Sequence, residues 1–365
     1  MSSQLPAPTA FPAPGRFEVA QRVTLLCSVP DAQIRYTLDG SQPGPASPQF
    51  DPDRLIFLDA PYEGEHASAL TATIRAAVFV EGKAASPTAE LTYTIARRDK
   101  NAYRIEPVAP DVWMIRDWDD DKFYLVKGKT KALLIDAGGG SGSVRPQVEA
   151  LVSGLPIELA ITHAHPDHIA QIAAFQADCP VWMNHKDLPM VERFNKGMGY
   201  GVDMAKLREL REGFVFDLGG RMLRVYEVPG HTPGHTVLLD EANGQLFSGD
   251  AVGNNRPTIV DALWMQHPGM SPIDEYLETL KSFRARTKGK FTAIYNGHND
   301  MPLLTEPYLD HLQEAAQKLV DQGVAVLTPS LRPEGVWWIT AGDRLSDPTW
   351  AAINVNRETF LSSMR

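Results

Sequence analysis

Thr162-His163-Ala164-His165-Pro166-Asp167-His168 packs three imidazoles and a carboxylate into six residues, 163 to 168. The apolar run Leu159-Ala160-Ile161 in front of it reads as a buried strand. Residues 167–175, with apolar side chains at 169, 172, 173 and 175, read as a helix with one covered face. The cluster therefore sits on a strand-to-helix turn. His163 and His165, two apart on extended chain, point the same way. Asp167 and His168, in the first helical turn, aim at a neighbouring point, so one turn can serve two metal ions a few ångströms apart. Imidazole and carboxylate are ligands for zinc and similar borderline metals. A single histidine is usually a surface or core residue with a hydrogen-bond partner, but three of the chain's ten in one short turn do not fit that account.

Composition narrows the partners. The chain has 365 residues, 43% hydrophobic and 22% charged, a soluble globular composition with room for two or three domains. A formal net charge of -10 argues against nucleic acid or an anionic membrane as the main partner, since both need basic surface. A small-molecule substrate is expected instead, with self-association left open. The two cysteines, Cys27 and Cys179, fall in different predicted domains, so no disulfide is expected and a reducing compartment fits. The start Met1-Ser2-Ser3-Gln4-Leu5-Pro6 has neither a basic nor an apolar leader region. No run approaches a membrane span. The expected location is the cytoplasm.

Working towards the N-terminus, residues 1–15 are rich in Pro and Ala and read as a disordered lead-in. Residues 16–96 show short strands without a helical period. Gln33 to Leu38 alternates, with Ile34, Tyr36 and Leu38 on one face before the Asp39-Gly40-Ser41 turn. Thr71 to Val80 runs into Glu81-Gly82-Lys83, and Leu91 to Ile95 closes the series, which suggests a small β-sandwich. The motif Ile34-Arg35-Tyr36-Thr37-Leu38-Asp39-Gly40-Ser41-Gln42-Pro43, with Thr73 to Ala76 and Ser86-Pro87, resembles the fibronectin-III-like domain at the C-terminus of chitobiases and hexosaminidases over residues 8–96. A spacer, dimerisation or lid role is preferred to carbohydrate binding. Residues 97–104 read as a linker.

From 105 to 365, strands alternate with helices, which points to a layered α/β architecture. Helices are expected over 144–153, 187–212 (with glycine breaks), 271–288 and 305–322, and residues from about 301 form a C-terminal extension. Three further ligand-type residues close strand-like runs: His231 after Val228-Pro229-Gly230, Asp250 after Phe247-Ser248-Gly249, and His298 after Asn296-Gly297. Each lies where loops at strand ends can converge.

The set His163-x-His165-x-Asp167-His168, His231, Asp250 and His298 is similar to the metallo-β-lactamase superfamily over about 105–300. The resemblance implies an αββα sandwich. It implies His163, His165 and His231 on one metal, Asp167, His168 and His298 on a second, and Asp250 bridging them. Asp136, in Leu134-Ile135-Asp136-Ala137-Gly138, resembles the acid that supports the ligands from behind, a role that stands beside a plain strand-end turn. His235 is read as structural. Two zinc ions are expected, with iron or manganese as alternatives. A metal pair lowers the pKa of water to about 7, and the resulting hydroxide attacks the substrate. Asp167 is the catalytic candidate, able to ligate, orient the nucleophile and pass a proton to the leaving group. An acid at Asp250, with the Gly230-His231-Thr232-Pro233-Gly234-His235-Thr236 run, resembles the glyoxalase II and lactonase branch. Residues 251–256 carry no basic motif of the glutathione-binding kind.

The expected reaction is hydrolysis of an ester, thioester or lactone. Alternatives are a phosphodiesterase of the same fold, a redox di-iron protein (whose relatives carry Glu at the His165 position) and a non-catalytic carbohydrate-binding protein. Tyr200, Trp264 and Met265, in loop-like segments with Met and aromatic residues, are candidates for the substrate pocket.

Overall fold

The computed structural model of the chain describes residues 5–17, 21–30, 32–51, 56–58, 62–63, 66–67, 69–81, 85–96, 101–119, 121–140, 142–253, 263–265, 271–298, 304–329, 336–342 and 349–356. The chain divides into two compact units, Met1–Lys100 and Asn101–Arg365.

The first unit is all β. Its strands are β1 (Thr9–Phe11), β2 (Gly15–Phe17), β3 (Gln21–Leu26), β4 (Gln33–Thr37), β5 (Ile56–Leu58), β6 (Tyr62–Glu63), β7 (His66–Ala67), β8 (Leu70–Phe79) and β9 (Ala89–Ile95). They form sheets of order β1-β3-β5 and β2-β9-β8-β4, with β6 and β7 as a separate pair. Alternate residues of each sheet, among them Val23, Leu25, Ile34, Ile74, Tyr93 and Ile95, fill one core. Two expectations are corrected. The stretch read as a disordered lead-in contains β1, which pairs antiparallel with β3, Thr9 opposite Leu26, and Leu5 is buried. Backbone pairing along a strand edge needs no apolar pattern, so a Pro/Ala-rich stretch gave no sign of it. Leu38 lies past the end of β4 and is 52% exposed, so it does not share a face with the buried Ile34.

The second unit continues with β10 (Arg104–Ala109), β11 (Val112–Arg116), β12 (Lys122–Lys127), β13 (Ala132–Ile135), β14 (Ile157–Ala160), β15 (Val181–Met183) and β16 (Leu207–Glu209). These pair in chain order, antiparallel from β10 to β13 and parallel from β13 to β16. Then come β17 (Val215–Asp217), β18 (Met222–Glu227), β19 (Thr236–Asp240), β20 (Gln245–Gly249), β21 (Leu263–Met265) and β22 (Ala293–Asn296). A second sheet has the order β17-β18-β19-β20-β22. The helices are α1 (Arg145–Val152), α2 (Pro166–Ile169), α3 (Ile172–Phe175), α4 (Leu188–Met198), α5 (Ile273–Thr287) and α6 (Glu306–Gln322).

Three cores make four layers. Between the sheets, Met114, Tyr124, Val126 and Leu133 meet Phe216, Val225, Leu238 and Phe247. Outside the first sheet, Leu125, Leu134 and Leu159 pack on Val148, Ile169, Ile172 and Val191 of the first four helices. Outside the second, Tyr226, Val237 and Leu246 pack on α5 and α6. Residues 123–126 and 132–135 are buried without alternation because both faces of their sheet are covered. The result is an αββα sandwich. Its C-terminal part adds β23 (Thr328–Pro329), β24 (Val336–Ala341) and β25 (Ala351–Asn356) in a sheet of order β21-β25-β24-β23, whose Ile339, Ile353 and Val355 pack in the same core as α6.

Several expected elements differ. The helix read over 167–175 is two short helices, because the Ala137-Gly138 loop takes part of its backbone bonding. His168 O accepts from Ala137 N, and Ala170 N donates to Gly138 O. The helix read over 187–212 stops at Gly199 in the left-handed conformation, and residues 207–209 instead extend the sheet as β16. Residues 263–265, read as loop, are strand. Arg104, read as linker, begins β10, and Tyr103 beside it is buried, donating its hydroxyl to Gly142 O at 2.6 Å.

Candidate metal centre

The centre lies where the two sheets present strand ends. His163 follows β14, Asp136 follows β13, His231 follows β18, Asp250 follows β20 and His298 follows β22. A short parallel strand must end before its helix begins, and the loops that make that turn converge. Gly249 has φ +47° and lies so close to Thr162 that a Cβ there would meet Thr162 Oγ1 at 2.4 Å. Glycine is needed at this crossing.

Side chains from these loops gather into two groups, His163/His165/His231 and Asp167/His168/Asp250/His298, each with its ligand-type atoms within 4.8 Å of one another. In the first, His165 Nδ1 lies 3.1 Å from His163 Nε2 and 2.8 Å from His231 Nε2. In the second, Asp167 Oδ2 lies 3.2 Å from Nε2 of both His168 and His298. Asp250 Oδ2 reaches both groups, at 3.9 Å from His163 Nε2, 3.5 Å from His231 Nε2, 3.6 Å from His168 Nε2 and 3.0 Å from His298 Nε2.

Carboxylates and hydroxyls behind the rings fix which nitrogen faces inward. Asp136, at φ +66°, accepts from Thr162 N and Thr162 Oγ1, both at 2.7 Å, and from His168 Nδ1 at 2.9 Å. The Thr162 hydroxyl spends its one proton on Asp136, so its oxygen accepts from His163 Nδ1 at 3.1 Å. That leaves Nε2 of His163 as the inward atom, and the Asp136 bond does the same for His168. His235 differs: both ring nitrogens are engaged, Nε2 with Asp250 N at 3.2 Å and Nδ1 with Thr236 O at 3.1 Å. It stacks on His163 with ring centroids 4.5 Å apart and holds the backbone of Asp250 instead of facing the cluster.

The donor set suits divalent metal. A tetrahedral ion with ligands at about 2.0–2.2 Å sets its ligand atoms roughly 3.3 Å apart, close to the separations above. Asp250 Oδ1 and His168 Nε2 are buried without a hydrogen-bond partner, which a coordinating ion would remedy. The charges agree with this. Burial, helped by its neighbouring histidines, holds His163 well below the usual imidazole range and, together with His231, His165 at about 3, so both of these rings are neutral. In the second group burial is outweighed. Asp167, Asp136 and Asp250 hold His168 well above the usual range, Asp250 with Asp121 and Asp167 does so for His298, and both histidines hold Asp167 and Asp250 low. The second group thus balances two carboxylates with two positive charges, which a divalent cation can supply in place of protons.

Two participants carry no local signal in the sequence. Asp121, the last of three consecutive acids, accepts from His298 Nδ1 at 3.0 Å. Asp187, fully buried, accepts from Gly234 N at 2.6 Å, Thr232 Oγ1 at 2.7 Å and Ala164 N at 3.2 Å, tying the 163–165 turn to the 231–235 loop. Of the pocket candidates, Tyr200 is half-buried with its hydroxyl 2.8 Å from Met198 Sδ. Burial and the charge of Asp167 raise its pKa. Trp264 and Met265 lie in β21, and their side chains fall outside the described residues.

Comparison with known proteins matches residues 117–298 to the metallo-β-lactamase superfamily. The second unit is a metallo-β-lactamase superfamily domain. Residues 12–90 match the chitobiase/β-hexosaminidase C-terminal domain. Among curated relatives of the metallo-β-lactamase domain, an acyl-coenzyme A thioesterase MBLAC2 of Gallus gallus is 25% identical over 50% of this chain and 77% of its own. A hydroxyacylglutathione hydrolase GloC of Haemophilus influenzae is 30% identical over 37% of this chain and 64% of its own. A hydroxyacylglutathione hydrolase of Bdellovibrio bacteriovorus is 28% identical over 39% of this chain and 52% of its own. The crystal structure of DIM-1 metallo-β-lactamase aligns at TM-score 0.49 and 17% identity over 59% of this chain and 97% of its own. With a complete group of His and Asp that could hold metal, this metallo-β-lactamase domain is the chain's metal-dependent hydrolase unit. No described helix is long and apolar enough to cross a membrane.

Proposed function

We propose that the chain is a dinuclear metal-dependent hydrolase of ester, thioester or lactone carbonyls, with thioesters first. His163, His165 and His231 would hold one ion, Asp167, His168 and His298 the other, and Asp250 both. The observation that carries this reading is the reach of Asp250 Oδ2, within 3.9 Å of imidazole nitrogens from each group. Zinc is the ion the His-rich set suits best, with iron or manganese as alternatives. Relatives named as an acyl-coenzyme A thioesterase and as hydroxyacylglutathione hydrolases support a thioester.

Bound divalent ions would supply Lewis acidity and an ionised water at neutral pH. The chain's own residues do the rest. Asp136 orients His163 through Thr162 and His168 directly, and His235 fixes the backbone of Asp250. Asp167, whose carboxylate is held ionised by His168 and His298, orients the attacking water and carries its proton to the leaving group. Among the described residues the cluster contains no serine or cysteine, so no acyl-enzyme is expected.

Metal analysis of the purified protein, with a panel of thioester, lactone, carboxylic ester and phosphodiester substrates, tests this. Two ions per chain and turnover of a carbonyl substrate are expected. Cleavage of the phosphodiester alone would move the chain to the phosphodiesterase reading, and a folded, two-ion protein inert towards all four would refute hydrolysis of these classes.

A further inference from the structure

His298 is the most exposed ring of the second group. Its side chain is 26% accessible, against 1% for His168 and 0% for His163. Those two are locked by Asp136 and Thr162 in well-packed surroundings. The described bond on the outer nitrogen of His298 is the one from Nδ1 to Asp121 Oδ1. Asp121 stands behind the ring, because Nε2, on the other edge, faces Asp167 and Asp250. It is therefore outside the ligand group but in contact with its more exposed imidazole.

Asp121 is itself held. The carboxylate of Asp117, only 2% exposed, accepts from Asp119 N at 2.9 Å and Asp121 N at 3.1 Å through Oδ1, and from Gly139 N at 2.7 Å through Oδ2. Asp117 N returns a bond to Asp121 O at 3.1 Å, and Lys122 N bonds Gly297 O at 2.7 Å. The 117–122 turn is thus strapped to the loop after β13 on one side and to the residue before His298 on the other.

We propose that Asp121 is a positioning residue that fixes the ring of His298 for the second ion, on a turn built by Asp117. This rests on the reading that Asp167, His168, Asp250 and His298 hold an ion. Partners of this kind fix the tautomer and orientation of a ligating imidazole, and their loss commonly lowers metal affinity about 10–100-fold.

The test titrates the metal-free full chain with Zn²⁺, and separately with Co²⁺, against a chromophoric chelator. The wild type is expected to take two ions. Asp121→Ala should bind the first as the wild type does and the second about 10–100-fold more weakly, with a changed absorption spectrum for the second Co²⁺. Asp121→Asn, which keeps an acceptor oxygen, should recover part of the loss. Two-ion binding by Asp121→Ala indistinguishable from wild type overturns the proposal, and so does equal weakening of both ions in a folded variant. If Asp121→Ala does not fold, Asp121→Asn decides on the same terms: weakening confined to the second ion supports the proposal, and wild-type binding overturns it. A wild type that takes fewer than two ions removes the underlying reading of the site, an outcome distinct from a two-ion wild type with an unaffected variant.

Discussion

Asp187 shows what a buried carboxylate does when it is not a ligand. Three donors converge on it, and a Cβ on Gly234 would lie 2.8 Å from its Cγ. Burial nevertheless holds its carboxyl above the ordinary range, against those donors. The folded state therefore binds this proton more tightly than the unfolded chain. Its contribution to stability falls as pH rises from the usual carboxylate range through the folded value. Asp187→Asn turns an amide NH2 towards at least one of the N–H donors, at a cost of about 1–3 kcal/mol at neutral pH, and removes that share of the pH slope. Urea unfolding of wild type and variant in mildly acidic and in neutral buffer measures both effects; a variant as stable as wild type with the same slope would refute the assignment. The seven ligand-type residues were legible because each sits in a short, distinctive context, and five of them are among the chain's ten histidines. Asp121 and Asp187 were not, because an acid among acids, or one beside a helix start, has the same local appearance whether it faces water or a histidine.

Strand ends, more than whole strands, set the geometry. β20 and β22 run parallel, and their ends bring Gly249 and Asn296 together. The next residue, Gly297, lies where a Cβ would meet Asp250 Oδ1 at 2.3 Å and His168 Cε1 at 3.0 Å. Gly297→Ala should therefore keep the far-ultraviolet circular dichroism of the wild type, since no strand pairing is touched. It should weaken ion binding by at least about tenfold, which chelator competition would register. Unchanged affinity would mean that the carboxylate has room the structure does not show. Most strands of the second unit could be read from apolar runs and turn residues. The break between α2 and α3 could not, because its cause is a loop some thirty residues earlier that competes for two backbone groups. β16 was hidden for a related reason: a three-residue edge strand after a glycine-broken helix has too few positions to show a period.

At the scale of the whole chain, the ligand cluster and the residues behind it run from Asp117 to His298, within the second unit. Residues 101–365 expressed alone should keep two-ion binding and turn over a small substrate within a few-fold of the full chain. Loss of ion binding in a folded fragment would show that the first unit takes part in the site. Both architectures could be anticipated, one from short alternating strands and one from strand–helix alternation with a rare ligand set. The pairing of β1 could not, because it rests on backbone hydrogen bonds. The acids are unevenly placed: Asp167, Asp136 and Asp121 stand on the side of His168 and His298, Asp250 lies between the two groups, and the side of His163, His165 and His231 has no carboxylate of its own. Two divalent ions would leave that acid-poor side as the more electropositive pole, on a protein of net charge -10. An anionic substrate would arrive with a preferred heading, its negative end drawn towards His163, His165 and His231.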